Sequence, residues 1–187
     1  MNLLRPGGQI ITKHALSFCN FLKNDLIIDI GCGYKDTVLF LRNMGFNAIG
    51  IDLNIQCKPD IQANAMCLPF HNSCINGIYA ECVLSLLPAT QLQTILVHWY
   101  SVASNNAYLI LHDVFAKSDN AKGLNITSLI NSLDFSGWKL LYSEDCSHYL
   151  KVYAAQLIWY TNNKSCTETF QNFKQSGYAL WIAQKTV

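Results

Sequence analysis

Two carboxylates set in apolar surroundings carry the first chemical signal. Asp29 interrupts the run LIIDI, residues 26–30, and the turn Gly31-Cys32-Gly33 follows at once. Asp52 closes a second apolar run, NAIGID, 19 residues beyond Gly33. Glycines beside a strand end let a ligand approach the backbone closely, although a glycine pair by itself also fits a plain tight connection. The charges are more informative. A G-x-G-x-x-G dinucleotide fingerprint requires a third glycine where this chain has Asp36. Asp29 would also place negative charge beside a pyrophosphate, so a nicotinamide dinucleotide is a poor fit. A cationic ligand reverses the sign. An ammonium gains from Asp29, directly or through water, and a carboxylate ending the second strand can accept both hydroxyls of a ribose. A positively charged nucleoside that carries an amino acid group meets both demands.

Those residues need a frame. Apolar runs suited to buried strands fall at residues 26–30, 47–52, 60–63, 75–81, 107–113, 138–144 and 178–185. Helical patterns alternate with them, at 9–22, 36–44, 89–101, 126–133 and the amphipathic stretch 147–160; an asparagine-rich bend and a weak helix precede the last strand. Alternation of this kind predicts one α/β domain with a mostly parallel sheet. Ligands of such sheets bind beyond the carboxyl ends of the strands, beside the switch point. Asp29 and Asp52 belong to that edge, with Glu81 after the fourth strand and His112 and Asp113 at the end of the fifth. Glu144, Asp145 and His148 follow the sixth. Simpler roles compete: His112 as a strand cap, Asp145 or Ser147 as a helix start. The 147–160 stretch would leave the same edge as a lid or wall, with Tyr149 and Tyr153 near its rim. Leu150, Ala154, Leu157 and Ile158 equally suit a core helix or a dimer contact.

The chain has 187 residues, enough for one domain with a real core. Hydrophobic residues make up 51%, and charged residues 13%, about half the usual share. So thinly charged a surface fits either burial in an oligomer or an asparagine-rich polar exterior. Net charge is +1 with no Lys/Arg run, which argues against nucleic acid as a main partner. No apolar run reaches a membrane span, and residues 1–18 lack a signal-peptide core before Pro-Gly-Gly. The cytoplasm is the expected compartment. Eight cysteines form no C-x-x-C pair, so no metal site is expected and the thiols read as reduced.

The motifs taken in order resemble the class I S-adenosylmethionine (SAM)-dependent methyltransferases, and among them the small "methyltransferase type 11" group. IIDIGCG is similar to the family's first motif and IGIDLN to the second; ANAMCLPFHNSCINGIYAECVLSLLP is similar to the third and fourth together. The resemblance spans about residues 8–185. It implies a Rossmann-like seven-strand sheet in the order 3-2-1-4-5-7-6 with the last strand antiparallel and helices on both faces. It also implies one domain over 1–187 with a helical insertion or lid at 147–176. By the same resemblance Asp29, Gly31, Cys32 and Gly33 hold the methionine part of SAM. Asp52 holds the ribose, Leu53 packs on the adenine, and Asn64, Ala65 and Met66 line the adenine edge. Glu81, Cys82 and Val83 pass near the methyl-bearing sulfur. The RPGGQIITKHAL segment is similar to one that leads into a helix covering the cofactor, which brings Gly8 and Thr12 against SAM.

The implied reaction is methyl transfer to a small-molecule acceptor with release of S-adenosylhomocysteine (SAH), a base being drawn from Glu81, His112, Asp113 or His148. Lys35, Asn64 and Ser85 depart from the family pattern, where a small residue, an acid and a histidine are frequent. These departures support an alternative, a non-catalytic SAM-binding or interaction protein with the same fold. A minor alternative takes Cys32, Cys67 and Cys82 as soft ligands for a metalloid acceptor. A homodimer is compatible with the low charge.

Overall fold

The computed structural model describes residues 5–118, 121–161 and 175–186. Seven strands form one sheet: β1 (Leu26–Ile30), β2 (Asn47–Asp52), β3 (Ile61–Gln62), β4 (Ile75–Glu81), β5 (Ala103–Ala116), β6 (Trp138–Asp145) and β7 (Ser176–Lys185). Their order is β3-β2-β1-β4-β5-β7-β6, as the motif resemblance implies. Strands β1 to β5 pair in parallel, and β7 runs antiparallel between β5 and β6. β1 is the strand at which the chain switches direction of travel across the sheet, so its carboxyl end opens onto the crevice that such sheets use for ligands.

Side chains alternate across a strand, and each face meets its own helices. On one face Ile28, Ile78, Leu109, Leu111 and Trp181 pack with Leu92, Ile95, Leu96 and Trp99 of α3 (Leu92–Val102) and Leu129 and Leu133 of α4 (Ile126–Phe135). On the other, Ile27, Tyr79, Ile110, Tyr178 and Leu180 pack with Ile11, Ala15 and Leu16 of α1 (Gly8–Leu16) and Val38, Phe40 and Leu41 of α2 (Asp36–Asn43). Leu150 of α5 (Ser147–Thr161) joins this second cluster. Strands buried on both faces read as unbroken apolar runs, which is why β1 and β4 were legible.

The largest departures from the expected boundaries are in α1 and β5. α1 ends at Leu16, not near residue 22, because the Ser17 hydroxyl donates to His14 O at 2.6 Å and closes the last turn. Phe18, freed from the helix, stacks on Tyr142 of β6 with ring centroids 4.1 Å apart. β5 begins at Ala103 and runs to Ala116, beyond the expected 107–113, since β7 pairs with it through Ala116 and Ala103 pairs with Ile75. The asparagine-rich bend and weak helix expected before β7 lie in 162–174, outside the described residues, as does most of the second half of the expected lid. Among the described residues no helix is long and apolar enough to cross a membrane.

Candidate functional site

The carboxyl edge of β1 and β2 is built around glycine geometry. Gly31 and Gly33 both adopt left-handed backbone, φ 69° and 50°. A Cβ on Gly31 would stand 2.5 Å from Val83 Cγ2, so this glycine lets the β1 turn close on the loop after β4. A Cβ on Gly33 would meet nothing within 4 Å; it would project into open ground beside the turn. That is the cradle a ligand would fill. Lys35 is left-handed too, φ 65°, which explains why a small residue suits this position. Its Nζ reaches Asp60 at 3.2 Å, beside Arg42 at 2.7 Å, and Asp60 in turn accepts the Gly50 N–H at 2.8 Å.

Asp52 ends β2 facing that cradle. Its Oδ2 accepts the Gly33 N–H at 2.9 Å and its Oδ1 accepts the Asn54 N–H at 2.8 Å. Two backbone donors fix the carboxylate, and each oxygen keeps a second lone pair for a hydroxyl. Leu53 follows, 65% exposed, an apolar surface left uncovered at the rim. Further round, Asn64 Oδ1 accepts the Met66 N–H at 2.9 Å, and Ala65 O accepts Trp99 Nε1 at 2.8 Å. These bonds use the Asn64 amide oxygen and the Ala65 carbonyl, not the Asn64 amide nitrogen or the Ala65 N–H. Met66 packs against the α3 core.

Asp29 is 3% exposed, on the sheet face covered by α1. Burial pushes its carboxyl up to about 7; Arg5 pulls it down and Asp52 adds to the rise. The same face carries Tyr79 and Glu81 from β4, His112 from β5 and Tyr178 from β7. Arg5, from the segment before α1, reaches into this group: it ion-pairs with Glu81, and its Nη2 donates to Thr12 Oγ1 at 2.6 Å. Thr12 Oγ1 lies 3.2 Å from the Tyr79 hydroxyl, and the Tyr178 hydroxyl donates to Glu81 Oε1 at 2.9 Å. His112 is fully buried, with both ring nitrogens lacking a partner among the described residues. Burial, then the Arg5 and His14 charges, hold its pKa down at about 3, so the imidazole is neutral. Cys82, next to Glu81, is held in left-handed backbone at φ 54°, its N–H bonded to His112 O at 2.8 Å. A β-carbon in this region is strained, and such strain gathers at sites.

Glu81 and His112 are therefore brought together, opposite one another in the β4–β5 register. The other two candidate bases are not. Asp113 is one residue on from His112 and so projects to the opposite face. There its Oδ2 accepts the Ser85 N–H at 3.1 Å and its Oδ1 the Val114 N–H at 2.7 Å, a brace for the 84–86 turn. His148 is exposed at the start of α5, its ring 3.9 Å from that of Tyr149. Glu144 is engaged at the surface by His14 and the Tyr142 hydroxyl, each at 3.0 Å, and Asp145 accepts the Ser147 N–H at 2.8 Å to start α5. Two of the expected cofactor residues also pack their side chains on glycine backbone. Cys32 is buried with its sulfur over Gly50, where an added Cβ would lie 2.8 Å from it, and the Val83 side chain packs on Gly31. Burial raises the Cys32 and Cys82 thiols to about 12, and Cys67 is exposed. Neutral thiols are weak soft-metal ligands. Arg5, Tyr79 and Tyr178 were not singled out from sequence; the one signal was a lone cation just before Pro-Gly-Gly.

Comparison with known proteins places this geometry. Geranyl diphosphate methyltransferase in complex with SAM superposes with a TM-score of 0.81 at 10% identity, over 96% of this chain and 86% of that one. The fold is that of the class I methyltransferases. The [4+2]-cyclase SpnF superposes with a TM-score of 0.77 at 17% identity, over 95% of this chain and 80% of its own. An uncharacterized protein of Haemophilus influenzae is 24% identical over 179 residues, covering 82% of this chain and 70% of its own. No protein-family model matches the chain.

Proposed function

We propose that this protein binds SAM in the crevice between β1, β2 and β4 and transfers its methyl group to a small-molecule acceptor. The observation that carries the reading is the pairing of Gly33 with Asp52: a glycine in left-handed backbone whose missing side chain leaves open ground, bonded at 2.9 Å to a carboxylate held ready by two N–H groups. Asp52 would take the ribose hydroxyls, and the exposed Leu53 would cover one face of the adenine. Asn64 Nδ2 and the Ala65 N–H would meet its edge. Asp29 would face the ammonium, directly or through water. The backbone of Cys32, Cys82 and Val83 would border the methionine chain.

When bound, SAM supplies a methyl already activated by its sulfonium for in-line displacement. The protein's part is then to orient the acceptor, exclude water and, for an acceptor that must lose a proton, accept it. Glu81 is the residue placed for that last task. His112, being neutral, offers a hydrogen bond rather than a charge. Tyr149 and Tyr153 of α5 lie on the same side of the sheet and would wall the acceptor. A cytoplasmic location accords with cysteines that are all unpaired among the described residues, and a homodimer accords with the low charge.

Titration calorimetry with SAM and SAH tests binding; no heat and no thermal shift at millimolar ligand would refute the reading. Mass spectrometry of cell extract incubated with methyl-labelled SAM identifies the acceptor. A second reading, SAM binding without turnover, is favoured by one observation: Glu81 is already engaged by Arg5 and Tyr178. Labelled product from any extract rejects it.

A further inference from the structure

The Arg5–Glu81 pair matches charges without completing their hydrogen bonds. Arg5 Nε is buried with no hydrogen-bond partner among the described residues, and Glu81 Oε2 meets only the Arg5 guanidinium. Both nitrogens of His112, opposite Glu81 in register, likewise lack a partner among the described residues. A buried charged donor without an acceptor is costly. A guanidinium fork is best filled by a second carboxylate that takes two of its N–H groups at once. Arg5 is tied through Thr12 to the Tyr79 hydroxyl, and Tyr79 stands opposite Asp29 in the β1–β4 register, so a guanidinium and a carboxyl group share this part of the face. The ligand group that presents both charges on one carbon is an α-amino acid. Resting on the SAM-binding reading, we propose that Arg5 is a latch worked by the cofactor's carboxylate: in the ligand-free protein it holds Glu81, and the amino acid end of the ligand takes it over, leaving Glu81 and Tyr178 to face the acceptor.

The surrounding contacts suit an exchange of partners. Thr12 anchors Nη2 from the far side, so the guanidinium need only turn about that bond. Gly7, left-handed at φ 75°, leaves no room for a Cβ, which would lie 2.9 Å from Ile11 Cγ2 and 3.3 Å from Tyr149. The turn that carries Arg5 is thereby fixed against α1 and α5. Tyr178 keeps Glu81 Oε1 oriented whichever partner Oε2 has.

Calorimetry with two probes separates this latch from a structural ion pair: SAH, which has the amino acid, and 5′-methylthioadenosine, which lacks it. Arg5→Gln is expected to weaken SAH about tenfold, the scale of one charge-assisted hydrogen bond, and to change methylthioadenosine by less than about twofold. Glu81→Gln removes the competing partner and is expected to tighten SAH several-fold. Thermal melts of both variants confirm that they are folded. A merely structural pair would make both variants bind SAH more weakly. Equal weakening of both probes by Arg5→Gln, or weaker SAH binding by Glu81→Gln, overturns the latch alone. Wild-type protein that binds neither SAM nor SAH overturns the latch and the SAM-binding reading together.

Discussion

Cofactor binding should be governed by one proton, that of Asp29. Its carboxyl is 3% exposed and titrates at about 7 in the ligand-free protein, chiefly because burial disfavours the charge. A bound ammonium and sulfonium favour the ionised form, so binding must drive the proton off. With a free-state value of about 7, roughly one molecule in thirty is ionised at pH 5.5 and about half at pH 7.0. Affinity for SAM should therefore rise about fifteen-fold across that interval. The interval is chosen to stay below the range of an α-amino group, about 7.7–8.0, so the ligand keeps its own charge. Calorimetry at several pH values in two buffers of different ionisation heat reads both the affinity and the proton count. About one proton should leave per SAM at pH 5.5 and about half a proton at pH 7.0. Asp29→Asn should bind more weakly and with no slope. Constant affinity below pH 7 without proton release, or an unchanged slope in Asp29→Asn, would refute the electrostatic account. The same group sets a stability trend of opposite sense. Its folded pKa lies above the value of 3.8 for a free carboxyl, so the folded state holds the proton longer and this group's contribution is lost as pH rises from about 4 to 7. Asp29→Asn should accordingly stabilise the ligand-free protein at pH 8, by as much as roughly 4 kcal/mol at about 1.4 kcal/mol per unit, read in a denaturant titration.

The two crevice glycines should separate binding from folding. Gly33→Ala puts a methyl group into open ground, so it should cost only about 1 kcal/mol of stability for its left-handed backbone while reducing SAH affinity more than about tenfold. Gly31→Ala collides with Val83 and should cost about 2–4 kcal/mol in a denaturant titration. Asp52→Asn keeps an acceptor for one backbone N–H but turns a donor toward the second, and should weaken SAH by about 2 kcal/mol with little change in melting temperature. Far from the crevice, Ser73 sits at φ 57° in an exposed turn, and Ser73→Gly should stabilise the protein by about 0.5–1 kcal/mol with binding unchanged.

The parts of this molecule that alternate regularly were readable in advance. β1, β2 and β4 appear where unbroken apolar runs require them, because both faces of those strands are covered. The glycine turn and Asp52 were readable because backbone geometry and one carboxylate define that half of the crevice almost alone. The half around Glu81 depends on long-range pairing, which one-dimensional patterns do not contain. Arg5 reaches Glu81 across 76 positions of chain (81 − 5) only because α1 lies over the β4 end. Asp113 could have been set aside from alternation, since it is the neighbour of His112 on one strand and both cannot share a face. Helix α1 was drawn too long because the apolar Phe18, Phe21 and Leu22 continue its pattern, while Ser17 ends it through a local hydrogen bond.

A fold of this kind does not choose its chemistry; groups at one edge do. The helix-covered face here gathers Asp29, Tyr79, Glu81 and His112 toward the carboxyl ends of β1, β4 and β5 and Tyr178 from the amino end of the antiparallel β7, with Arg5 ion-paired to Glu81. Had the cluster served only to hold α1 to the sheet, apolar residues of the same volume would serve as well, and buried ion pairs are often replaceable in that way without loss. Instead the face keeps a fully buried imidazole with two nitrogens unpartnered among the described residues, and an ion pair whose Arg5 Nε is unpartnered as well. Each such orphan costs about 1–3 kcal/mol. Neighbouring deficits of that size are offset when a polar ligand or ordered water fills the space between them. On the proposed function, the amino acid end of the cofactor would present its carboxylate to Arg5, and an acceptor with a polar group would meet the neutral His112.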